Sequence, residues 1–175
     1  VADERGGTVP ASLLAGALPI RRRRGVDLAP VDALDRDGYL LLRSFLWPGR
    51  DDRVARLEAA VETLRGDPAA LELTRGDYVE LLPRLLADRP PDALTVVFQT
   101  ASTGYLPAEA AASLRRSLDE AGADGRPLAW VSTRRRDESE ERRDDRYELE
   151  LRLWPAETEL VAYLDFHGNW LDWVG

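Results

Sequence analysis

The sequence predicts an α/β fold with a mostly parallel sheet that ends in an antiparallel hairpin. Three observations carry this. Two short segments, 25–30 and 71–77, each run an apolar stretch into an aspartate, Asp27 and Asp77. Stretches of helical period separate the strand candidates. Toward the C-terminus the pattern changes to strict alternation, with Tyr147, Leu149, Leu151 and Leu153 interleaved with Glu148, Glu150, Arg152 and Trp154.

Residues 1–20 are punctuated by Gly6-Gly7, Pro10, Gly16 and Pro19 and read as an irregular N-terminal segment. Residues 21–175 read as one α/β domain. The arginine run 21–24 leads into a short strand ending near Asp27. Asp35 caps a helix carrying Tyr39, Leu42, Phe45 and Leu46, which stops at Trp47-Pro48. Asp51 or Asp52 starts the next helix, where Val54, Leu57, Val61 and Leu64 recur at helical spacing and read as core. Residues 70–75 read as a strand. Asp77 opens a helical stretch with Leu81, Leu82, Leu85 and Leu86, which Pro83 breaks or restarts.

Residues 94–99 are apolar until Gln99 and read as a doubly covered central strand. Pro107 suits the first turn of a helix running to about Gly122. Residues 128–132 form another short strand, and 134–146 read as a solvated, charged loop. The alternating segment and residues 160–166 form the hairpin, turning at 155–158.

Composition bounds the function. A chain of 175 residues has the length of one domain and can bury roughly two-thirds of its unfolded surface. No apolar run approaches the roughly 20 residues that cross a bilayer. Residues 13–20 are too interrupted for a signal peptide. The absence of cysteine excludes disulfides, thiolate catalysis and zinc–thiolate sites. A cytoplasmic location is the simplest reading. The net charge of −8 argues against nucleic-acid binding. Every basic residue is arginine, which with the acidic excess fits a GC-rich genome and a salt-adapted, halophilic cytoplasm. With no methionine, the chain reads as processed or as part of a longer protein.

In an open α/β sheet, ligands sit beyond the carboxyl ends of the strands. Alternating strands and helices followed by a terminal hairpin give a Rossmann-like, three-layer layout, that of methyltransferases using S-adenosylmethionine. The first strand of that layout, with its glycine-rich loop, is missing. Gly6-Gly7 does not supply it, because no apolar strand precedes it.

A set of ordered motifs resembles a family. They are residues 24–32, Phe45-Leu46-Trp47-Pro48, residues 53–57, residues 94–98 with Tyr105-Leu106-Pro107, Pro127-Leu128-Ala129-Trp130, residues 151–155 and His167-Gly168-Asn169-Trp170. Together, over about residues 20–173, they resemble the C-terminal half of a prokaryotic family known as domain of unknown function 2332. The resemblance implies a methyltransferase-like Rossmann fold. It also implies longer members, with a glycine-rich, cofactor-loop-like segment in their N-terminal half. The family pattern has His-Ser where this chain has Gln99-Thr100.

The candidate site residues follow from these placements, each beside a structural role. Asp27 would hold ribose hydroxyls or cap its own loop before Pro30, whereas Asp32 reads as a turn residue. Asp77 with Tyr78 would receive adenine, the carboxylate accepting from the exocyclic amine, or Asp77 would be a helix cap. Gln99 is the catalytic candidate at the end of the central strand. Thr100 and Tyr105 are substrate contacts, or ordinary loop polarity and packing. His167, the only histidine, is a general-base candidate or a member of an aromatic cluster with Phe166 and Trp170. The arginine run 21–24 would grip phosphate or form surface salt bridges. No metal site is expected from one histidine and scattered carboxylates. No Gly-x-Ser-x-Gly elbow, phosphate loop or zinc signature is present.

The leading functional expectation is a methyltransferase-like domain that binds S-adenosylmethionine and acts on a small molecule. Methyl transfer needs mainly alignment, so it does not require a strong acid or base. The alternative is a non-catalytic scaffold whose exposed sheet edge pairs with another subunit or a missing N-terminal half. The expected partners are a small-molecule substrate and a homo-oligomeric copy, with no nucleic acid and no membrane.

Overall fold

The structure, a computed structural model, describes residues 3–135 and 146–175. In chain order the elements begin with β1 (Asp3–Glu4), α1 (Ala11–Leu14), β2 (Arg24–Asp27), α2 (Arg36–Ser44) and α3 (Asp51–Gly66). A short turn of helix at Pro68–Ala70, β3 (Glu72–Arg75), α4 (Tyr78–Ala87), β4 (Thr95–Gln99) and a helical turn at Ser102–Tyr105 follow. The chain closes with α5 (Ala108–Gly122), β5 (Leu128–Arg135), β6 (Arg146–Leu153), β7 (Thr158–Asp165) and β8 (Trp170–Trp173). Two units emerge: Leu18–Leu81, and Val1–Ala17 together with Leu82–Gly175.

In the first unit, β2 and β3 pair in parallel, with Arg24 opposite Glu72 and Asp27 opposite Arg75. Arg22 grips the Glu72 carboxylate through Nε at 3.1 Å and Nη2 at 2.9 Å, and Arg24 adds an ion pair at 3.4 Å. The arginine run thus takes its salt-bridge role at these two residues. Asp35 caps α2 by accepting from the backbone N–H of Asp37 and Gly38. In α3, Val61 is buried and Val54, Leu57 and Leu64 are half-buried, which fits the helical spacing.

In the second unit, six strands run in the order β1-β8-β7-β6-β5-β4. Only β4–β5 and β1–β8 pair in parallel; β5–β6, β6–β7 and β7–β8 are antiparallel. This overturns the mostly parallel Rossmann-like sheet and the methyltransferase-like three-layer sandwich that the sequence predicts. The reason lies in strand length. β5 runs on to Arg135, pairs along β6, and β7 and β8 extend the meander. The antiparallel hairpin therefore forms the body of this sheet.

Residues 94–99 are also corrected. β4 is an edge strand, with Val96 51% and Phe98 68% exposed, so one of its faces is open. Pro83 neither breaks nor restarts its helix: α4 is continuous through it. Leu82 and Leu86, both buried, bracket the proline, and their packing offsets the hydrogen bond it cannot make. The charged loop expected at 134–146 falls, for residues 136–145, outside the described residues.

The sheet register separates its two faces. Val96, Phe98, Ala129, Val131, Leu151 and Leu153 share one face through their cross-strand pairs. Trp130, Arg134, Glu148, Glu150 and Arg152 lie on the other. Helix α5 covers the second face, where Asp119 Oδ1 pairs with Arg152 Nη1 at 2.6 Å and accepts from Trp154 Nε1 at 3.4 Å. Its close approach requires Gly122: a Cβ there would lie 2.1 Å from Trp154 Cδ1. Leu114 and Leu118, one turn apart on α5, are almost fully buried, as is Leu128 of β5. Leu128 stands opposite Thr95, so this core lies at the amino end of β4.

Two arginines close the C-terminal ends of α4 and α5. Buried Arg89 donates to the carbonyls of Leu86 (2.8 Å) and Ala121, and to Asp124 Oδ1 at 2.6 Å. Arg126 donates to the carbonyls of Ala87 and Arg89 and to Asp124. Helix C-termini leave unpaired carbonyls with a partial negative charge, so guanidinium groups suit them.

Candidate functional site

The parallel register of β2 and β3 brings Asp27 and Asp77 to one strand end. Asp27 closes β2 opposite Arg75, and the Gly76 N–H donates to the Asp27 carbonyl at 2.9 Å. Asp77 follows immediately. Gly76 has φ +154, and a Cβ there would lie 2.7 Å from Leu81 Cδ1, so glycine permits the turn from strand into helix. Both carboxylates also serve locally. Asp27 Oδ1 accepts from the Ala29 N–H at 2.7 Å, and Asp77 Oδ1 from the Val79 N–H at 2.7 Å. Asp32 likewise closes its turn on the Leu34 N–H at 2.8 Å. Both aspartates remain solvent-exposed, and a carboxylate accepts several hydrogen bonds. Tyr78, half-buried, is the first residue of α4.

Chemically, these two exposed carboxylates can accept hydrogen bonds from hydroxyl or amine groups. Gly6-Gly7 has a different task. Gly7 N–H donates to Asp172 Oδ1 at 2.7 Å, its carbonyl accepts from the Trp173 N–H, and a Cβ would stand 1.7 Å from the Trp173 carbonyl oxygen. These glycines serve the close approach of β1 to β8.

At the end of β4, Gln99, Thr100 and Tyr105 sit on one short loop. Gln99 is half-buried opposite Ser132, Thr100 is exposed, and Tyr105 is 80% exposed. Between them lies a residue that the sequence reading misses. Ala101 has φ 61° and ψ −31°, the one positive φ outside glycine among the described residues. The Ser102 N–H donates to the Thr100 carbonyl at 2.7 Å, closing a three-residue γ-turn. This positive-φ form is rare and strained. Buried Thr133 on β5 holds it: its Oγ1 accepts from the Ala101 N–H at 2.7 Å, and its carbonyl accepts from Thr103 Oγ1 at 3.4 Å. No glycine marks the positive φ, and Thr133 reads as ordinary strand, so neither signals itself in the sequence.

His167 lies in the turn between β7 and β8, at the same end of the sheet as Gln99. Three strand spacings of about 4.8 Å separate β7 from β4, so the two side chains are not brought together. His167 packs edge-on to Phe166 at 5.1 Å, and Phe166 tilts against Tyr147 at 5.4 Å. Asp165 anchors the turn, accepting from the N–H groups of Asn169 (2.5 Å) and Trp170 (3.1 Å) and from Asn169 Nδ2 (2.7 Å). Burial opposes its ionisation, but the bonds from Trp170, Asn169 and His167 prevail and hold its carboxyl below the ordinary aspartate value. Among the described residues no group of three or more histidines, aspartates or glutamates is placed to hold a metal ion. Among them, too, no helix is long and apolar enough to cross a membrane.

The chain belongs to a family described as an uncharacterized protein conserved in bacteria, DUF2332, whose model matches residues 1–173. No curated protein and no solved structure matches the chain.

Proposed function

We propose that this family member binds the nucleoside part of S-adenosylmethionine at the carboxyl end of β2 and β3, and serves methyl transfer to a small molecule. The observation that supports it is the parallel register that delivers Asp27 and Asp77 to one strand end. In this reading Asp27 holds the ribose, Asp77 accepts from the adenine amine and Tyr78 packs beside the ring. S-adenosylmethionine supplies the methyl group when bound.

Calorimetric titration with S-adenosylhomocysteine tests this. Asp77→Asn is the informative variant, because asparagine caps a helix as well as aspartate does. It keeps an acceptor for the Val79 N–H while removing the charge and replacing the second acceptor oxygen with an NH2 donor. Losing a charge-assisted hydrogen bond of about 1.5–3 kcal/mol should weaken binding on the order of 10–100-fold. Equal affinity in parent and variant removes Asp77 from the site, and no binding by a folded parent overturns the reading.

A second reading rests on β4. This strand carries no charge, proline or bulge on its open edge, the devices that usually block added strands. A scaffold role, with β4 pairing to another polypeptide, would need no cofactor. Folded protein that ignores S-adenosylhomocysteine favours it.

A further inference from the structure

We propose that the β8 edge of the six-stranded sheet is a docking site for an extended Arg-Gly-Gly segment of another polypeptide, and that the chain's own Arg5-Gly6-Gly7 occupies it in cis. The inference is independent of the nucleoside reading and of the open edge at β4.

The N-terminal arm shows what this edge selects. β1 adds to β8 in parallel, and without it β8 is the last strand of the sheet. The Asp3 N–H donates to the Asn169 carbonyl at 2.7 Å, the Arg5 N–H to the Leu171 carbonyl at 2.8 Å, and the Trp173 N–H to the Gly7 carbonyl at 3.2 Å. Main-chain bonds of this kind give affinity to any added strand, and the side-chain positions give specificity. The Arg5 guanidinium lies 5.2 Å from the centre of the Trp170 ring, within range of a cation–π contact. Gly6 has φ +77, in the left-handed region that favours glycine. Gly7 donates its N–H to Asp172 Oδ1 at 2.7 Å, and a Cβ on it would stand 1.7 Å from the Trp173 carbonyl oxygen. Arginine followed by two glycines is therefore the sequence this edge reads.

The arm is also poised to exchange. Asp3, Glu4, Arg5 and Gly6 are exposed, residues 10–23 behind them are exposed throughout, and α1 buries no residue. A segment with so little burial opens locally at a free energy well below that of global unfolding. Opening bares the N–H and C=O groups along β8, which template an added strand. A net charge of −8 favours the approach of a cationic segment, and the Asp172 carboxylate stands ready to accept its glycine N–H.

Fluorescence anisotropy of a labelled peptide with the sequence of residues 3–10, Asp-Glu-Arg-Gly-Gly-Thr-Val-Pro, reads the outcome against the full chain. In the parent the tethered arm competes at an effective concentration on the order of mM. In the Gly7→Ala chain the added Cβ excludes the arm, so the peptide should bind at least about 10-fold more tightly than to the parent. It should also restore slow amide exchange at Trp173, whose N–H donates to the Gly7 carbonyl. The peptide carrying Gly7→Ala should not bind. The peptide carrying Arg5→Ala should bind about 2–5-fold more weakly, the equivalent of one exposed cation–π contact. Circular dichroism establishes that each chain is folded. Arg5→Ala in the chain loosens the arm without a steric change and decides the matter if Gly7→Ala does not fold: the unaltered peptide should bind it about 2–5-fold more tightly than the parent. No binding to a folded variant, binding indifferent to Gly7→Ala in the peptide, or equal binding to parent and variants would each overturn the proposal. Dimers of the parent in sedimentation equilibrium that vanish in Gly7→Ala would make a second copy's arm the occupant, and would overturn the separate partner.

Discussion

Thr133 holds Ala101 in a conformation that alanine rarely adopts. The Thr133 hydroxyl, buried on β5, accepts from the Ala101 N–H at 2.7 Å while Ala101 sits at φ 61°. The turn is thus set by the neighbouring strand. Residues held in sparsely populated backbone regions cost about 1–3 kcal/mol and persist where surroundings over-determine them.

Ala101→Gly should therefore stabilise the protein. Glycine removes the Cβ strain at positive φ but adds unfolded-state freedom worth about 0.4–1 kcal/mol. A net gain of up to about 1 kcal/mol in urea unfolding is expected. Thr133→Val should cost about 1–3 kcal/mol by stranding the Ala101 N–H, and Thr133→Ser should recover most of it. A destabilised Ala101→Gly would show that the turn is not strained.

Arg89 is the second point of leverage. Its guanidinium satisfies carbonyls at the C-termini of α4 and α5. Burial works against its charge and lowers its pKa, while Asp124 opposes that shift. Arg89→Leu strands these carbonyls and should lower stability by about 2–4 kcal/mol in a urea titration. Arg65→Leu, which breaks only the exposed i,i+3 pair with Glu62, should stay within about 0.5 kcal/mol.

Much of the local structure was legible, because local chemistry decides it. Asp35 announces α2 by its side-chain acceptor, and Pro107 marks the start of α5, although it sits at the N-cap rather than in the first turn. The alternation from Tyr147 to Leu153 fixes the hairpin. The sheet as a whole was not legible, because an apolar run such as residues 94–98 reads alike in a central strand and at an edge. Periodicity reports which residues avoid water, not which layer covers them. At the candidate site, Asp27 and Asp77 are legible as residues at strand ends, but their shared end comes from the β2–β3 register, and Ala101 and Thr133 depend on a contact between distant segments. Four-residue β8 is too short for an alternation signal.

Acid should loosen the β7–β8 turn. The Asp165 carboxyl lies below its ordinary value in the folded chain, so the folded state binds this proton less readily than the unfolded state. The stability it contributes is fully present above the ordinary aspartate pKa of about 3.9. It is lost as pH falls through the lower folded value. Asp165→Asn should flatten that part of the stability-versus-pH curve. An unchanged acid limb in the variant would remove Asp165 as its source.

Gly7 offers the sharpest test of the β1–β8 pairing. Its N–H donates to Asp172 Oδ1, its carbonyl accepts from Trp173, and a Cβ would lie 1.7 Å from the Trp173 carbonyl oxygen. The clash is with backbone, so no rotamer change relieves it. Gly7→Ala should displace β1 and expose the edge of β8, with faster amide hydrogen exchange at Arg5, whose N–H donates to the Leu171 carbonyl at 2.8 Å. Gly104→Ala meets nothing within 4 Å and should leave exchange at Arg5 unchanged. The exchange difference between these two variants isolates steric exclusion at Gly7 from any general effect of replacing glycine.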